Sequence, residues 1–380
     1  MTDWYGNRTR ERYTFRRVTW NPGQADHFQE GADYANVTGG SVELSAFTDT
    51  KASCSFDFIG GELPDTRDLV RIYYSFDDDA GEHAETAIGT FFVEYADTTY
   101  EAANGSLVAS GTVDGSSVLS MLIARKLGVP YTVDAGTDCL DAAVALVDGV
   151  GLPVSTPESN GYQTSTAHTF EPDDSYLTVI NWLLTTAGYQ SAYPDALGRV
   201  IIEKYVAPEK RDTVATFRDD SRSIMLPEVA QENDWAQTPN VARLSYSSDD
   251  ESLYAVARCV NGSKSSLDAR GGRELTLVES VTELDGATQQ DRIDALEAMA
   301  RQRLIDQSAE IEKATLTHAF INGMQPNDAV AIEYSGTEWR GNVTSMSIKL
   351  EASTPCNTKL RRFVDNALEI ETEGGALWTA

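Results

Sequence analysis

The sequence has no run approaching the ~18 consecutive apolar residues of a membrane-spanning helix, and its first 20 residues are polar and arginine-rich, unlike a secretory leader. These absences predict a chain that is made in a cytoplasm and stays soluble there, with no membrane span. Cysteine is scarce: Cys54, Cys139, Cys259 and Cys356 are dispersed with no C-x-x-C pair, which excludes the usual zinc spacing and leaves buried thiols as the expectation. Positive charge is in short supply as well. The 59 acidic residues outweigh 30 Lys and Arg to give a formal net charge of −29, and such a surface repels phosphate, so no specific nucleic-acid binding is expected.

Reaction chemistry is also missing. There is no G-x-S-x-G elbow, no G-x-x-x-x-G-K-[ST] phosphate loop and no G-x-G-x-x-G opening a helix; Gly149-x-Gly151 is too little to count. The histidines His27, His83, His168 and His318 are never paired at metal-ligand spacing. His318 alternates with Leu316 and Phe320 and so reads as a satisfied core or interface residue. The sequence therefore assigns no catalytic, cofactor-binding or metal residue, and no cofactor. Asp77-Asp78-Asp79, with Glu82 and Glu85 around His83, has the oxygen density for Ca²⁺ but not the EF-hand order; a hairpin tip is the simpler account. Among so many acids a carboxylate pair carries no specificity, which leaves a carbohydrate-active enzyme or an adhesin with an acidic cleft as the alternatives. Arg8, Arg10, Arg12, Arg16 and Arg17 form a basic cluster that reads as a dock for an acidic neighbour or as a solvated arm.

What the chain does contain is alternation. At 380 residues it exceeds the roughly 250–300 of a single core, so two to four domains are expected. Strands are predicted from Tyr13 to Trp20, Ser41 to Phe47, and Ser53 to Phe58, where Cys54, Phe56 and Phe58 face one way and Ser53, Ser55 and Asp57 the other. Val70 to Phe76 and Phe91 to Tyr95 repeat the pattern, and Asn104-Gly105 is a hairpin turn into Leu107 to Thr112. Residues 1–113 thus read as an all-β barrel or sandwich, with a loop after Trp20. Helical spacing follows in Val118 to Leu127, Leu140 to Val147, and Leu177 to Ala187 after Asp173-Asp174-Ser175; a strand is predicted from Val200 to Val206. Residues 114–208 are an α/β unit. Strand signals return in Ser223 to Leu226, Val241 to Tyr246, Leu253 to Val260 and Glu274 to Val281.

The stretch Thr288 to Leu350 organises the rest. Thr288 caps a helix over 288–307 with Asp291, and Ile293, Leu296, Ala300 and Leu304 make one apolar stripe that should lie on a sheet. The period then changes from 3.6 to 2, giving a β-meander from Ala314 to Leu350 with turns at Gln325-Pro326-Asn327-Asp328 and Ser335-Gly336-Thr337. After Phe363 the acidic, glycine-containing tail reads as a segment ordered only by a partner.

This order of units, with several local stretches, resembles the tail-hub family of tailed phages, the trimeric tail-tip protein that also forms the N-terminal part of tail-associated lysins. The stretches are Ser41 to Phe58; Ile180-Asn181-Trp182-Leu183-Leu184 with Ala187-Gly188-Tyr189 and Gly198-Arg199-Val200-Ile201-Ile202; and Ala298 to Arg362 with Met324 to Val330 and Trp339 to Val343. The resemblance implies a mainly β chain with an α+β insert: two tail-tube-like β-barrel domains, 1–113 and 209–249 plus 311–365, an α/β domain from 114–208 plus 250–310, and a tail over 366–380. It further implies a homotrimeric hub at the tail tip or baseplate of a virion, surrounding the DNA channel and adapting a six-fold tail to a three-fold tip. Expected neighbours are the distal tail protein or a tail-tube ring, the tape measure protein, and receptor-binding or fibre proteins. The chain stops about 17 residues past Phe363, so cell-wall hydrolysis or receptor binding is expected from another protein.

Overall fold

The computed structural model describes all residues except 1–8, 23, 25–26, 61–67, 79–80, 83–84, 104–105, 221–222, 234–236, 249–250, 282–283, 285, 287, 309–311, 352–354, 363–367 and 380. The expected Asn104-Gly105 turn, Asp79, His83 and Arg8 lie outside the described residues. The chain forms two compact units, one of residues 1–227, 317–336 and 343–358, the other of 228–316, 337–342 and 359–380.

The first unit is built on antiparallel strands, some of which, such as Asp68–Asp78, bury apolar residues on both faces. In order across the sheet these are Phe28–Asp33, Thr9–Trp20, Asp68–Asp78, Thr86–Ala103, Ser106–Ser117, Ala52–Ile59 and Val37–Ser45, and Ser345–Lys349 then pairs with Ser41–Ser45. Along Ala52–Ile59 every second side chain is buried, as the alternation of Cys54, Phe56 and Phe58 requires. Tyr74 is fully buried, with its ring 5.2 Å from Phe320, edge on, and 5.4 Å from Tyr13. In the same unit Thr213–Arg218 runs parallel to Ala329–Tyr334.

Helices α1 (Leu119–Ala124), α2 (Cys139–Val150) and α3 (Tyr176–Thr186) share one core with Val18 and Leu69 of the sheet and with Leu152, Val200 and Ile202. Asp138 caps α2 by accepting from the Asp141 amide at 3.0 Å, and Ser175 caps α3 by accepting from Thr178 at 3.1 Å. Gly151 ends α2 at φ 84, and a Cβ there would stand 2.6 Å from Cβ of Pro22, so only glycine lets the helix end reach the sheet's first turn. Its carbonyl accepts from the Trp20 indole at 3.1 Å and from His27 Nδ1 at 3.0 Å.

The second unit carries a four-stranded sheet in the order Thr276–Val281, Val241–Ser247, Glu251–Asn261, Glu369–Thr379. Helix α4 (Gln289–Ser308) covers one face, with Ile293, Leu296, Ala300 and Leu304 against Ala242, Leu244, Leu253, Ala255, Ala257 and Cys259. Its start is the expected reciprocal cap: Thr288 Oγ1 accepts from the Asp291 amide at 3.1 Å, and Asp291 Oδ2 accepts from the Thr288 amide at 2.9 Å. Leu296 is fully buried under this helix, so Leu296→Ala is expected to cost about 2–5 kcal/mol. Chemical denaturation checks it, and a loss below 1 kcal/mol would mean that α4 does not hold the sheet.

Four expectations need correction. No sheet closes into a barrel among the described residues: the strand orders have open ends, and closure needs first and last strands to pair. Phe28–Asp33, read as loop, is an edge strand held by its ladder to Thr9–Trp20. The tail over 366–380 needs no partner to order it: Glu369–Thr379 is a strand pairing with Glu251–Asn261. The segment from Ala314 is not a simple meander, since Glu312–Ala319 neighbours Pro355–Arg362 rather than Ala329–Tyr334. Residues 114–208 fall in the first unit and 250–310 in the second, with separate cores.

Candidate functional site

Of the arginines that read as a basic dock or solvated arm, Arg12, Arg16 and Arg17 are held by carboxylates of the sheet, while Arg10, 3.7 Å from Asp77, stays exposed. Strand pairing sets Thr9–Trp20 between two strands rich in acids, and Arg16 lies 2.7 Å from Asp33, 2.9 Å from Glu85 and 3.3 Å from Glu30. Arg17 pairs with Asp68 at 3.0 Å and Arg12 with Asp77 at 2.8 Å. Arg71 is the buried member: its guanidinium meets Glu30 and donates to Thr90 Oγ1 at 2.8 Å and to the Leu197 carbonyl at 2.8 Å. Asp33 above all holds the Arg16 guanidinium in its charged form.

Burial pushes the Glu30 carboxyl up, but hydrogen bonds from Tyr73 and Arg71 and the Arg71 charge outweigh it and leave Glu30 below its ordinary 4.5. A carboxylate depressed in the folded state adds stability that is full above 4.5 and lost as pH falls through the folded value. Glu30→Gln is therefore expected to lower the melting temperature at pH 7 and to converge on the parent as pH falls below the folded value of Glu30. Melts across that range check it; a gap that stays constant with pH would show the carboxylate charge to be irrelevant.

Two carboxylates of the acidic run, Asp77 and Glu85, are spent in the same way. Asp77 and Asp78 pair with Glu82 and Gly81 across a short hairpin; Asp77 accepts from Arg12, and Glu85 from Arg16 and Thr14. Among the described residues no group of three or more His, Cys, Asp or Glu is placed to hold a metal ion.

His318 is buried, its Nδ1 2.7 Å from the Ala319 carbonyl and its Nε2 2.7 Å from Thr358 Oγ1, with the ring 4.7 Å from Phe217. The carbonyl can only accept, so Nδ1 carries the proton and Thr358 donates to Nε2. His168 lies at the surface, stacked 4.6 Å from Trp182. The Thr358 hydroxyl that His318 meets is fully buried with it, so the pair is closed to a substrate. The four cysteines are free and buried, and burial raises each thiol above its ordinary value, Cys356 to about 12. Such thiols are poor nucleophiles.

What remains open to a partner is backbone and apolar surface. In the second unit both outer strands of the sheet, Thr276–Val281 and Glu369–Thr379, pair on one side only among the described residues. Each carries an exposed aliphatic side chain, Val278 at 72% and Leu377 at 65%. Exposed strand edges of this kind invite pairing with another chain. The sequence reading missed the Glu369–Thr379 edge because three glutamates and Gly374-Gly375 disguised it. The alternation of Ile370, Thr372 and Gly374 against Glu371, Glu373 and Gly375 was the available signal.

No protein-family model matches the sequence, and no curated protein matches it. Solved structures do. The tail protein of Neisseria meningitidis is 16% identical with a TM-score of 0.61, over 92% of this chain and 96% of that one. A 43 kDa tail protein of prophage MuSo2 from Shewanella oneidensis is 12% identical at TM-score 0.59, over 92% and 98%. A prophage tail protein from Listeria monocytogenes is 13% identical at TM-score 0.51, over 93% and 95%. The chain is thus similar in fold to phage tail proteins along almost its whole length.

Proposed function

We propose that the chain is a structural virion protein of a phage-type tail, the trimeric hub at its tip or baseplate. The single observation that carries this reading is the fold match to tail proteins, which covers nearly all of both chains. Ionic chemistry spent within the fold supports it, since Arg16 pairs with Glu85, Arg71 with Glu30 and Arg12 with Asp77. So do the open sheet edges of the second unit.

In this reading three copies surround the DNA channel, each offering two tube-related β portions, 1–113 and 209–249 with 311–365, so that a three-fold tip meets a six-fold tail. Its neighbours are a tail-tube ring or distal tail protein, the tape measure protein, and fibre or receptor-binding proteins. The net charge of −29 suits a channel through which DNA slides without sticking. The hub itself performs no catalysis.

Light scattering tests the reading. A particle near three times 41.4 kDa, with a three-fold ring in negative stain, is the expected result. A monomer at all concentrations that also fails to bind tail-tube rings would overturn it.

A further inference from the structure

We infer that the sheet of the second unit continues from one copy of this chain into the next, the Glu369–Thr379 edge of one copy pairing with the Thr276–Val281 edge of its neighbour. This rests on the self-assembly proposed above and names the surface that performs it. Thr276–Val281 is parallel to Val241–Ser247, which is antiparallel to Glu251–Asn261, which is antiparallel to Glu369–Thr379. The two open edges therefore run in the same direction. A second copy rotated about an axis along the strands presents its opposite edge in parallel register, with both sets of backbone groups still to be satisfied.

Thr276–Val281 and Glu369–Thr379 contain no Lys and no Pro. The one charge on the first, Glu279, is turned to Arg303 of α4 at 2.9 Å. Val278 and Leu377 add exposed aliphatic surface, one to each edge.

Charge decides which edges meet. Beside Thr276–Val281 stand Arg243, Arg273 and Arg303 against Glu274 and Glu279, while Glu369–Thr379 bears the exposed Glu369, Glu371 and Glu373 against Arg258. Two copies joined edge to like edge about a two-fold axis would oppose glutamate to glutamate, which is unfavourable across a strand pair. Unlike edges attract. Head-to-tail contacts of this type close into a ring when the rotation per copy is a simple fraction of a turn, and a three-fold ring is one such closure.

Cysteines at the two edges test the inference in the full chain, because the four native thiols are buried and leave a quiet background for maleimide chemistry. Val278→Cys with Leu377→Cys, treated with a short bis-maleimide, is expected to give covalent dimer and trimer in a denaturing gel, and each single variant only monomer. Cross-linking of either single variant would mean that like edges meet, and would overturn the inference. So would a particle that is trimeric by light scattering yet gives no cross-link in the double variant; that result leaves the hub reading standing. A monomeric parent protein with no cross-link overturns the inference, and overturns the hub reading as well when that monomer also fails to bind tail-tube rings. As a second measure, Val278→Lys places a charge on a side chain already in water. Its circular dichroism and melting should match the parent while trimer is lost at concentrations where the parent is fully assembled, and a trimeric Val278→Lys would also overturn the inference.

Discussion

Deleting residues 369–380 is expected to unfold the second unit outright. The strand runs in register with Glu251–Asn261 from Thr379 opposite Glu251 to Glu369 opposite Asn261, so its loss strips one whole side of a central strand. It also removes the floor of α4. Gly374 lies so close beneath that helix that a Cβ would stand 2.7 Å from Glu297 Oε1 and 2.8 Å from Ile293 Cγ2. Thr372 donates to Glu297 Oε2 at 2.9 Å, Arg301 donates to the Ile370 carbonyl at 2.9 Å, and Ile370 packs against the core. A ladder of backbone hydrogen bonds plus about a third of the packing of α4 on the sheet exceeds what a unit of this size holds in reserve, about 5–15 kcal/mol. Calorimetry of the truncated chain should lack the second unit's transition, and amides of α4 should exchange freely. A truncated protein that melts like its parent would show the strand to be decoration. Gly374→Leu should move in the same direction by overpacking, at about 1–3 kcal/mol.

Asn240→Asp is expected to cost about 3–5 kcal/mol, more than the usual point substitution, although the two side chains have nearly the same shape. Asn240 is fully buried and serves as the clasp of the loop from Gly262 to Leu275. Its amide nitrogen donates to the carbonyls of Ser265 at 3.0 Å and Arg273 at 2.9 Å, while its Oδ1 accepts from the Leu275 amide at 2.8 Å. Aspartate keeps the last bond and turns the other two into a carboxylate facing carbonyl oxygens without water. The carbonyls are left unpaired and the new charge is buried, each costly in itself. Asn240→Ala removes the bonds without adding a charge and should fall between parent and Asn240→Asp. Urea denaturation of the three proteins gives the order; equal stability of Asn240→Asp and parent would mean that water reaches the loop.

Patterned segments were legible, and segments decided by distant partners were not. The stripe Ile293, Leu296, Ala300 and Leu304 and the cap Thr288–Asp291 predicted α4 and its burial on a sheet, because both are local and periodic. Val241 to Tyr246 was found within one residue. The segment Val200 to Val206 was predicted as a strand, but only Val200–Ile201 joins a ladder. Gln190 takes the Glu203 carbonyl and Tyr189 bridges to Lys204, which pulls the remainder aside.

The basic cluster was the clearest misreading. Spacing alone cannot reveal that Asp33, Asp68, Asp77 and Glu85 arrive from other strands to neutralise Arg12, Arg16 and Arg17. The same limit hid the two sheet edges, since which strand is outermost is a property of the ladder order and not of any one segment. A strand of alternating polar and apolar residues looks alike at the centre and at the rim.

The pairing of Val37–Ser45 with Ser345–Lys349 also sets a timetable. On the ribosome, the segment that completes this edge emerges some 300 residues after the edge itself, about 15–60 s later at ordinary elongation rates of roughly 5–20 residues per second. During that interval Ser41 to Ser45 offers unpaired backbone to any nascent neighbour, and copies growing on one polysome are the nearest ones. Slowing elongation in the first two-thirds of the message should therefore raise the insoluble fraction, whereas supplying a holdase that masks extended segments should restore it.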